Sequence, residues 1–271
     1  MRVCLLASGS RGNSTFIETG DARLLIDAGL SGKETQRRLG LLGLSCDDLD
    51  AILVTHEHHD HVGGIGPLAR RHQLPVYIDH KTFAALPRPG AIPDLRLFAA
   101  GDSFTLRDLE ISSFFTTHDA VNPVGYVIDS HEGRIGYATD LGLPTRLVSD
   151  CLQQCRVLVL EANHDEQMLL DGSYPWELKQ RIRSRHGHLS NIQAGELLDQ
   201  LLWDGLDALF LAHLSDENNC AQLVTALFQQ KLAQHAFRTE VIVGCQSLIS
   251  TCYASPPAGA DELKNCANLI T

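Results

Sequence analysis

Between positions 51 and 64 the chain reads Ala51-Ile-Leu-Val-Thr-His56-Glu57-His58-His59-Asp60-His61-Val-Gly63-Gly64. An apolar run with the composition of a buried strand ends in four histidines and two acids within six residues, and a glycine pair follows. In extended backbone, side chains two positions apart point the same way, so His56 and His58 converge on one point. Asp60 and His61, at the start of the next helical pattern, aim at a second point beside it. Neutral imidazoles and a carboxylate are donors for zinc, manganese, iron or nickel. Surface or packed histidines do not account for this density, because protonated neighbours repel one another unless a metal holds them neutral. A His-Glu-x-x-His reading starts at His56-Glu57 and fails, since the residue four after His56 is Asp60. Glu57 and His59 alternate away from the donor set and read as rim residues.

Such a cluster fills only part of two coordination spheres, so further donors must come from elsewhere. Three occur in one grammar of apolar strand, small residue and donor. His118 follows 111–116, Asp140 follows 135–139 and His213 follows 208–212. In layered α/β proteins strand ends gather on one edge, where sites form. Asp27 also ends an apolar run and is placed to orient a donor from behind. The loop 9–14 is small and polar, with Asn13 and Ser14 available to meet a phosphate.

The net charge of −11 argues against polyanion binding over the whole surface. Any nucleic-acid contact must therefore be local. Lys179, Arg181, Arg183, Arg185 and His186 form one acid-free run. Alone it reads as a solvated helix face. Directly before Gly187-His188-Leu-Ser190 it reads as a phosphate track.

These residues need a scaffold. Apolar segments bounded by turn signals predict strands at 3–7, 16–19, 24–27, 51–55, 76–78, 111–116, 126–129, 135–139, 157–161, 208–212 and 241–243. Helical patterns run over 32–42, 60–71, 145–155, 175–184, 191–202 and 220–234. Early strands follow one another closely and later ones alternate with helices. That order predicts a mixed α/β protein with two sheets. The donors span positions 27 to 213, so 1–253 is expected to be one domain, with 254–271 a C-terminal tail. The apolar start at 3–7 is too short for a secretory signal, and no run reaches the roughly 20 residues of a membrane span. The eight scattered cysteines lack a Cys-x-x-Cys spacing and read as reduced thiols. A cytoplasmic protein without a membrane partner is expected, its oligomeric state unknown.

The His-x-His-x-Asp-His signature at 56–61, with His118, Asp140 and His213, resembles the metallo-β-lactamase superfamily. The resemblance implies an αββα four-layer sandwich of two mixed sheets with outer helices. It implies two divalent ions, zinc or manganese, with iron or nickel as alternatives. His56, His58, His118 and a bridging Asp140 would hold the first; Asp60, His61, Asp140 and His213 would hold the second. Asp27 matches the superfamily's early strand-end aspartate. His58 separates the chain from flavodiiron oxidoreductases, which carry Glu there.

Farther along, His118-Asp-Ala-Val-Asn-Pro-Val-Gly-Tyr126, Gly187-His188-Leu-Ser190-Asn191 and Leu-Ala-His213-Leu-Ser215 resemble blocks of the RNase Z branch. There the histidine corresponding to His188 lies by the scissile phosphate and aids proton transfer. The resemblance narrows to the YycJ family, also called WalJ or VicX. It is carried by Ser8-Gly-Ser-Arg-Gly-Asn13-Ser14, Leu-Ile-Asp27-Ala-Gly-Leu-Ser31-Gly, Glu161-Ala-Asn163-His164-Asp165, Tyr174-Pro and His213-Leu-Ser-Asp-Glu-Asn218-Asn219. It implies a 5′→3′ exonuclease with a nucleic-acid partner, DNA favoured over RNA. The expected nucleophile is water activated between two metals about 3.5–4 Å apart.

On this reading Asp60 takes a proton, His188 protonates the leaving oxygen, and Glu161 or Asn163 supports His188. Asn13, Ser14, Lys179, Arg181, Ser190 and Ser215 would contact substrate. His59 stands where the family is expected to carry a small residue. Three rivals remain: a thioester or ester hydrolase of the glyoxalase II kind, a phosphodiesterase for small nucleotides, and a non-enzymatic member of the fold.

Overall fold

The computed structural model describes residues 1–235 and 237–255. In chain order the strands of the first half are β1 (Arg2–Ala7), β2 (Ser14–Thr19), β3 (Ala22–Ile26), β4 (Ala51–Leu53), β5 (Val76–Asp79), β6 (Leu95–Phe98) and β7 (Ser103–Leu106). Those of the second half are β8 (Leu109–Phe115), β9 (Val124–Ser130), β10 (Gly133–Ala138), β11 (Val157–Glu161), β12 (Ala208–Ala212), β13 (Glu240–Val243) and β14 (Tyr253–Ala254). The α-helices are α1 (Gly32–Leu41), α2 (His59–Val62), α3 (Ile65–His72), α4 (His80–Ala85), α5 (Arg146–Cys151), α6 (Glu166–Asp171), α7 (Trp176–Ile182), α8 (Asn191–Leu201) and α9 (Ala221–Gln234).

The strands form two mixed sheets, ordered β14-β1-β2-β3-β4-β5-β6 and β13-β12-β11-β10-β9-β8-β7. Each sheet joins an antiparallel part to a parallel run. β3, β4, β5 and β6 are parallel in the first, as are β10, β11, β12 and β13 in the second. Alternation along the strands builds the layers. Val157 and Val159 face the inter-sheet core with Leu24, Ile26, Leu53, Ile111, Ile128 and Phe210. Leu158 and Leu160 face outward onto Val148, Leu197, Leu198 and Phe228 of α5, α8 and α9. On the other side Leu25, Ile52 and Val76 pack on Leu39, Ile65 and Leu68 of α1 and α3. The result is the four-layer α/β sandwich that the resemblance implies, with β11 and β12 buried on both faces.

Every strand expected from the sequence is present, with ends shifted by at most two residues and 157–161 and 208–212 unshifted. Several elements depart from the expectation, α4 and α6 among them, which no helical pattern anticipated. The helix expected at 60–71 is broken into α2 and α3 at Gly63-Gly64. There the Gly64 N–H bonds Ala28 O at 2.7 Å, and a Cβ on Gly64 would lie 2.1 Å from Leu30 O. β6 and β7 were unforeseen: Leu95-Arg96-Leu97-Phe98 is half-exposed without alternating burial, and Ser103-Phe-Thr-Leu106 alternates over only four residues. Ala254, where the tail was expected to begin, pairs with Arg2 of β1; residues 256–271 lie outside the described ones. Among the described residues no helix is long and apolar enough to cross a membrane.

Candidate metal centre

The backbone gathers the histidines and acids by ending strands sharply. Asp27 leaves β3, Asp140 leaves β10 and His213 leaves β12 with φ of 61°, 56° and 56°. Left-handed backbone is uncommon for residues other than glycine and concentrates at functional sites. Hydrogen bonds to segments distant in the chain hold two of the three there: Asp27 N–H donates to Leu53 O at 2.8 Å, and His213 N–H donates to Ser8 Oγ at 2.6 Å. The two sheets are tied beside the 56–61 turn. The Tyr126 hydroxyl donates to Val54 O at 2.5 Å, and Val124 N–H donates to Thr55 O at 3.0 Å.

The sequence-expected donors meet in one place. Donor atoms of His56, His58 and His118 lie within 4.8 Å of one another, and so do those of Asp60, His61 and His213. Asp140 joins both sides: its carboxylate is 3.4 Å from His61 Nε2, 3.6 Å from His118 Nε2 and 3.5 Å from His213 Nε2. His56 Nε2 and His58 Nδ1 are 3.0 Å apart. His56, His61, His118, Asp140 and His213 are buried, whereas His58 and Asp60 are half-buried.

The groups behind these donors fix which nitrogen faces inward. His61 Nδ1–H donates to Asp27 Oδ2 at 2.7 Å, and Asp27 in turn accepts from Thr55 N–H and Thr55 Oγ1, each at 2.8 Å. His118 Nδ1–H donates to Gly187 O at 3.0 Å. Each leaves its Nε2 toward the centre. Thr55, which sequence reasoning passed over, also lies 2.9 Å from His56 Nδ1.

The charges are mutually dependent. Burial alone would raise the pKa of Asp140, but His213, His61, His118 and His56 hold it well below the usual carboxylate range. Asp60 is likewise depressed against burial, by the neighbouring imidazoles of His213 and His61, 3.8 and 3.4 Å away. Burial would lower His61, yet Asp140 and Asp27 push it up to about 10. His56 and His118 are lowered, first by burial, and so present neutral lone pairs. Among the described residues Asp140 Oδ2 and His213 Nε2 are buried without a hydrogen-bond partner, which is rare for buried polar atoms. Unsatisfied donors of this kind, among ionised carboxylates and inward-facing imidazoles, fit a divalent cation.

Beside the cluster lies a cavity of about 270 Å³. His118, Asn163, Tyr174, Arg181, His188 and Ser215 line it. His188 Nδ1 is 2.7 Å from Glu161 Oε1. Glu161 is buried, accepts from Leu141 N–H at 2.7 Å and Leu189 N–H at 3.2 Å, and sits 3.4 Å from His213 Nδ1. Burial opposes its ionisation, but His188 and His213 hold it at about 2.

Of the expected contact residues, Asn13, Ser14, Lys179 and Ser190 do not line the cavity. Lys179 is buried and donates to Leu170 O and Gly172 O at 2.7 and 2.6 Å; it does not reach the cavity. Arg181 reaches it, but its guanidinium is paired with Asp119. Ser190 Oγ caps α8 by accepting from Gln193 N–H, and it donates to Glu166 at 3.0 Å. Asn13 turns inward, with Nδ2 3.1 Å from Asp60 Oδ2 and 3.0 Å from His61 Nε2. Ser14 is fully buried within β2. Asn163 supports His213 rather than His188, donating to His213 O at 2.7 Å.

Residues 22–213 match the beta-lactamase superfamily domain. The chain is 39% identical over 240 residues to exodeoxyribonuclease YycJ of Bacillus anthracis, covering 88% of this chain and 91% of that one. It is 39% identical over 238 residues to exodeoxyribonuclease WalJ of Streptococcus pneumoniae, covering 86% and 88%. Among solved structures, the metallo-beta-lactamase fold protein YhfI of Bacillus subtilis superposes with a TM-score of 0.68 at 18% identity, over 92% of this chain and 99% of that one. The short form of human tRNase Z gives 0.63 at 16% identity, over 94% and 100%. The fold, the clustered donors and these relatives agree: the chain belongs to the metallo-β-lactamase superfamily, within its YycJ/WalJ family.

Proposed function

We propose that this chain is a divalent-metal-dependent phosphodiester hydrolase acting on DNA as a 5′→3′ exonuclease. His56, His58, His118 and Asp140 would hold one ion; Asp60, His61, Asp140 and His213 would hold a second. The observation that carries the reading is the His188–Glu161 pair at the wall of the cavity, within reach of Asp140. Hydrolysis of a thioester or ester needs the metal donors but not this pair. The names of the YycJ and WalJ relatives, exodeoxyribonucleases both, support the same substrate class.

Bound divalent ions supply the charge that neutralises the phosphate and acidifies the attacking water. Asp60 is held ionised by His61 and His213 and can accept the proton that water loses. His188 gives its Nδ1 to Glu161, so Nε2 is the atom available to protonate the leaving oxygen. Glu161 is fixed by two backbone donors and keeps His188 in that orientation. Arg181 and Ser215 line the cavity and are available to steady the phosphate. Lys179 is spent on backbone carbonyls and is left out of the phosphate track.

The test is cleavage of end-labelled DNA, end-labelled RNA and a thioester by metal-loaded wild type and by Asp60→Asn, with the metal content of each measured. The expected result is stepwise shortening of DNA from its 5′ end, slowed at least about a hundredfold in the variant. Thioester turnover without DNA cleavage would overturn the proposal.

A further inference from the structure

We propose a second phosphate-binding groove, between α3 and the segment 86–91, that holds the nucleic-acid strand beyond the nucleotide at the metal centre. It rests on the phosphodiester reading above. The groove encloses about 330 Å³, and its lining includes three basic side chains, His59, Arg70 and Arg88, and no acid. In a chain of net charge −11 that local balance stands out. The groove runs along the back of α2, the helix that carries Asp60 and His61, since His59, Val62 and Gly63 line it. The His59 ring covers Gly63: a Cβ there would lie 3.2 Å from His59 Cε1. The imidazole is exposed and borders the groove.

The opposite wall is built, not incidental. Arg70 Nη1 donates to both Pro89 O and Ala91 O, at 3.2 and 3.0 Å, and clamps the segment onto α3. Gly66 permits that closeness, since a Cβ there would meet Pro89 O at 2.2 Å. Gly90, at φ +68°, leaves room for the same guanidinium. Within this clamped turn Arg88 is held at φ 53°, a left-handed conformation uncommon for arginine, and is exposed. No acidic side chain hydrogen-bonds to Arg70 or Arg88 among the described residues, in contrast to Arg181, which Asp119 partly neutralises. A guanidinium matches a phosphate with two parallel donors. Contacts of this kind hold a strand without reading its bases. The occupant is therefore the sugar–phosphate backbone of a strand long enough to extend past the cavity. A single nucleotide or a small diester would not reach it.

Binding and turnover together test this. Binding is read by fluorescence anisotropy with a phosphorothioate-linked single strand of about twenty nucleotides. Turnover by the metal-loaded protein is read on the ordinary strand and on bis(p-nitrophenyl) phosphate. Arg88→Glu is expected to raise Kd at least about tenfold and to raise KM for the strand at least about fivefold more than KM for the small diester. Arg88→Ala should flatten the dependence of log K on log salt by about 0.7, the share of one phosphate in a single strand. If the wild type cleaves both substrates and both Arg88 variants match its Kd and salt slope, the groove is wrong and the phosphodiester reading stands. If the metal-loaded wild type cleaves neither substrate, both proposals fall.

Discussion

His188 enters the centre from a different segment than any of the expected metal donors, and its role rests on one bond. With Nδ1 2.7 Å from Glu161 Oε1, the ring has little freedom and Nε2 is committed to the cavity. Replacing it by glutamine keeps a polar side chain but removes the acid. His188→Gln is therefore expected to lower kcat on a diester about 10²–10⁴-fold while leaving bound metal unchanged. A proportional loss of metal would make His188 a structural partner of the donors instead. Glu161→Gln keeps size but loses the charge that orients His188, and a smaller fall in kcat should follow, checked in the same assay. His164 is a different case. It is buried, its Nδ1 has no hydrogen-bond partner among the described residues, and burial, only partly offset by Glu161, lowers its pKa to about 4. An unfolded chain takes up that proton near pH 6.5. Below pH 6.5 the unfolded state therefore binds more protons. Stability is full above pH 6.5, falls as pH drops toward 4, and is flat below. At pH 5 the loss from this residue is on the order of 2 kcal/mol. Urea unfolding of chelator-treated protein at pH 7 and pH 5 should show a difference smaller by that amount in His164→Asn; equal differences would exclude His164 as a source of acid sensitivity.

At the scale of elements, much of the site is a matter of where strands stop. The rule of apolar strand, small residue and donor was legible in the sequence and located Asp27, His118, Asp140 and His213. That Asp27, Asp140 and His213 share left-handed φ was not, because the hydrogen bonds that impose it come from Leu53 and from Ser8, distant in the chain. Lys179 was misread for a related reason: its carbonyl partners, Leu170 and Gly172, lie at the C-terminal end of α6, a helix that composition did not reveal. Ser190 could have been read better, since Ser190-Asn-Ile-Gln193 carries the capping-box spacing that the structure contains. The break between α2 and α3 follows from a contact as well. Asn13 N–H bonds Asp60 O at 2.7 Å, and a Cβ on Gly29 would lie only 1.6 Å from that same oxygen. Gly29→Ala must therefore push α2 outward and carry Asp60 and His61 away from Asp140. The expectation is metal affinity weakened at least about tenfold, read by competition with a chromophoric chelator. Gly40 in α1 is the control. A Cβ there meets nothing within 4 Å, so Gly40→Ala should bind metal normally and gain up to about 1 kcal/mol of helix stability. Normal binding by Gly29→Ala would mean that the turn accommodates the methyl by moving something other than α2.

The whole molecule presents two sheets whose edges each bring part of the centre. His56, His58, Asp60 and His61 follow β4 of the first sheet, while His118, Asp140 and His213 follow strands of the second. The order of strands and helices along the chain indicated two sheets; their strand order depended on long-range pairing that no local pattern encodes, such as β1 with β14. A cation held by donors from both sheets is bound to the folded state only, so its removal costs stability by mass action. At a free metal concentration a thousandfold above Kd the contribution is about 4 kcal/mol. For a domain of this size that corresponds to a fall in Tm of roughly 8–16 °C. The loss should be partial and reversible, because the apolar layer between the sheets, from Leu24 and Ile26 to Val159 and Phe210, does not depend on the centre. Calorimetry with chelator, then with excess zinc or manganese, checks this. Asp60→Asn should show a smaller shift than wild type, since it weakens one of the two donor sets. A chelator-treated protein that melts at the same temperature as the metal-treated one would mean that the two edges are held together by their own contacts, and that the clustered histidines bind no cation of consequence.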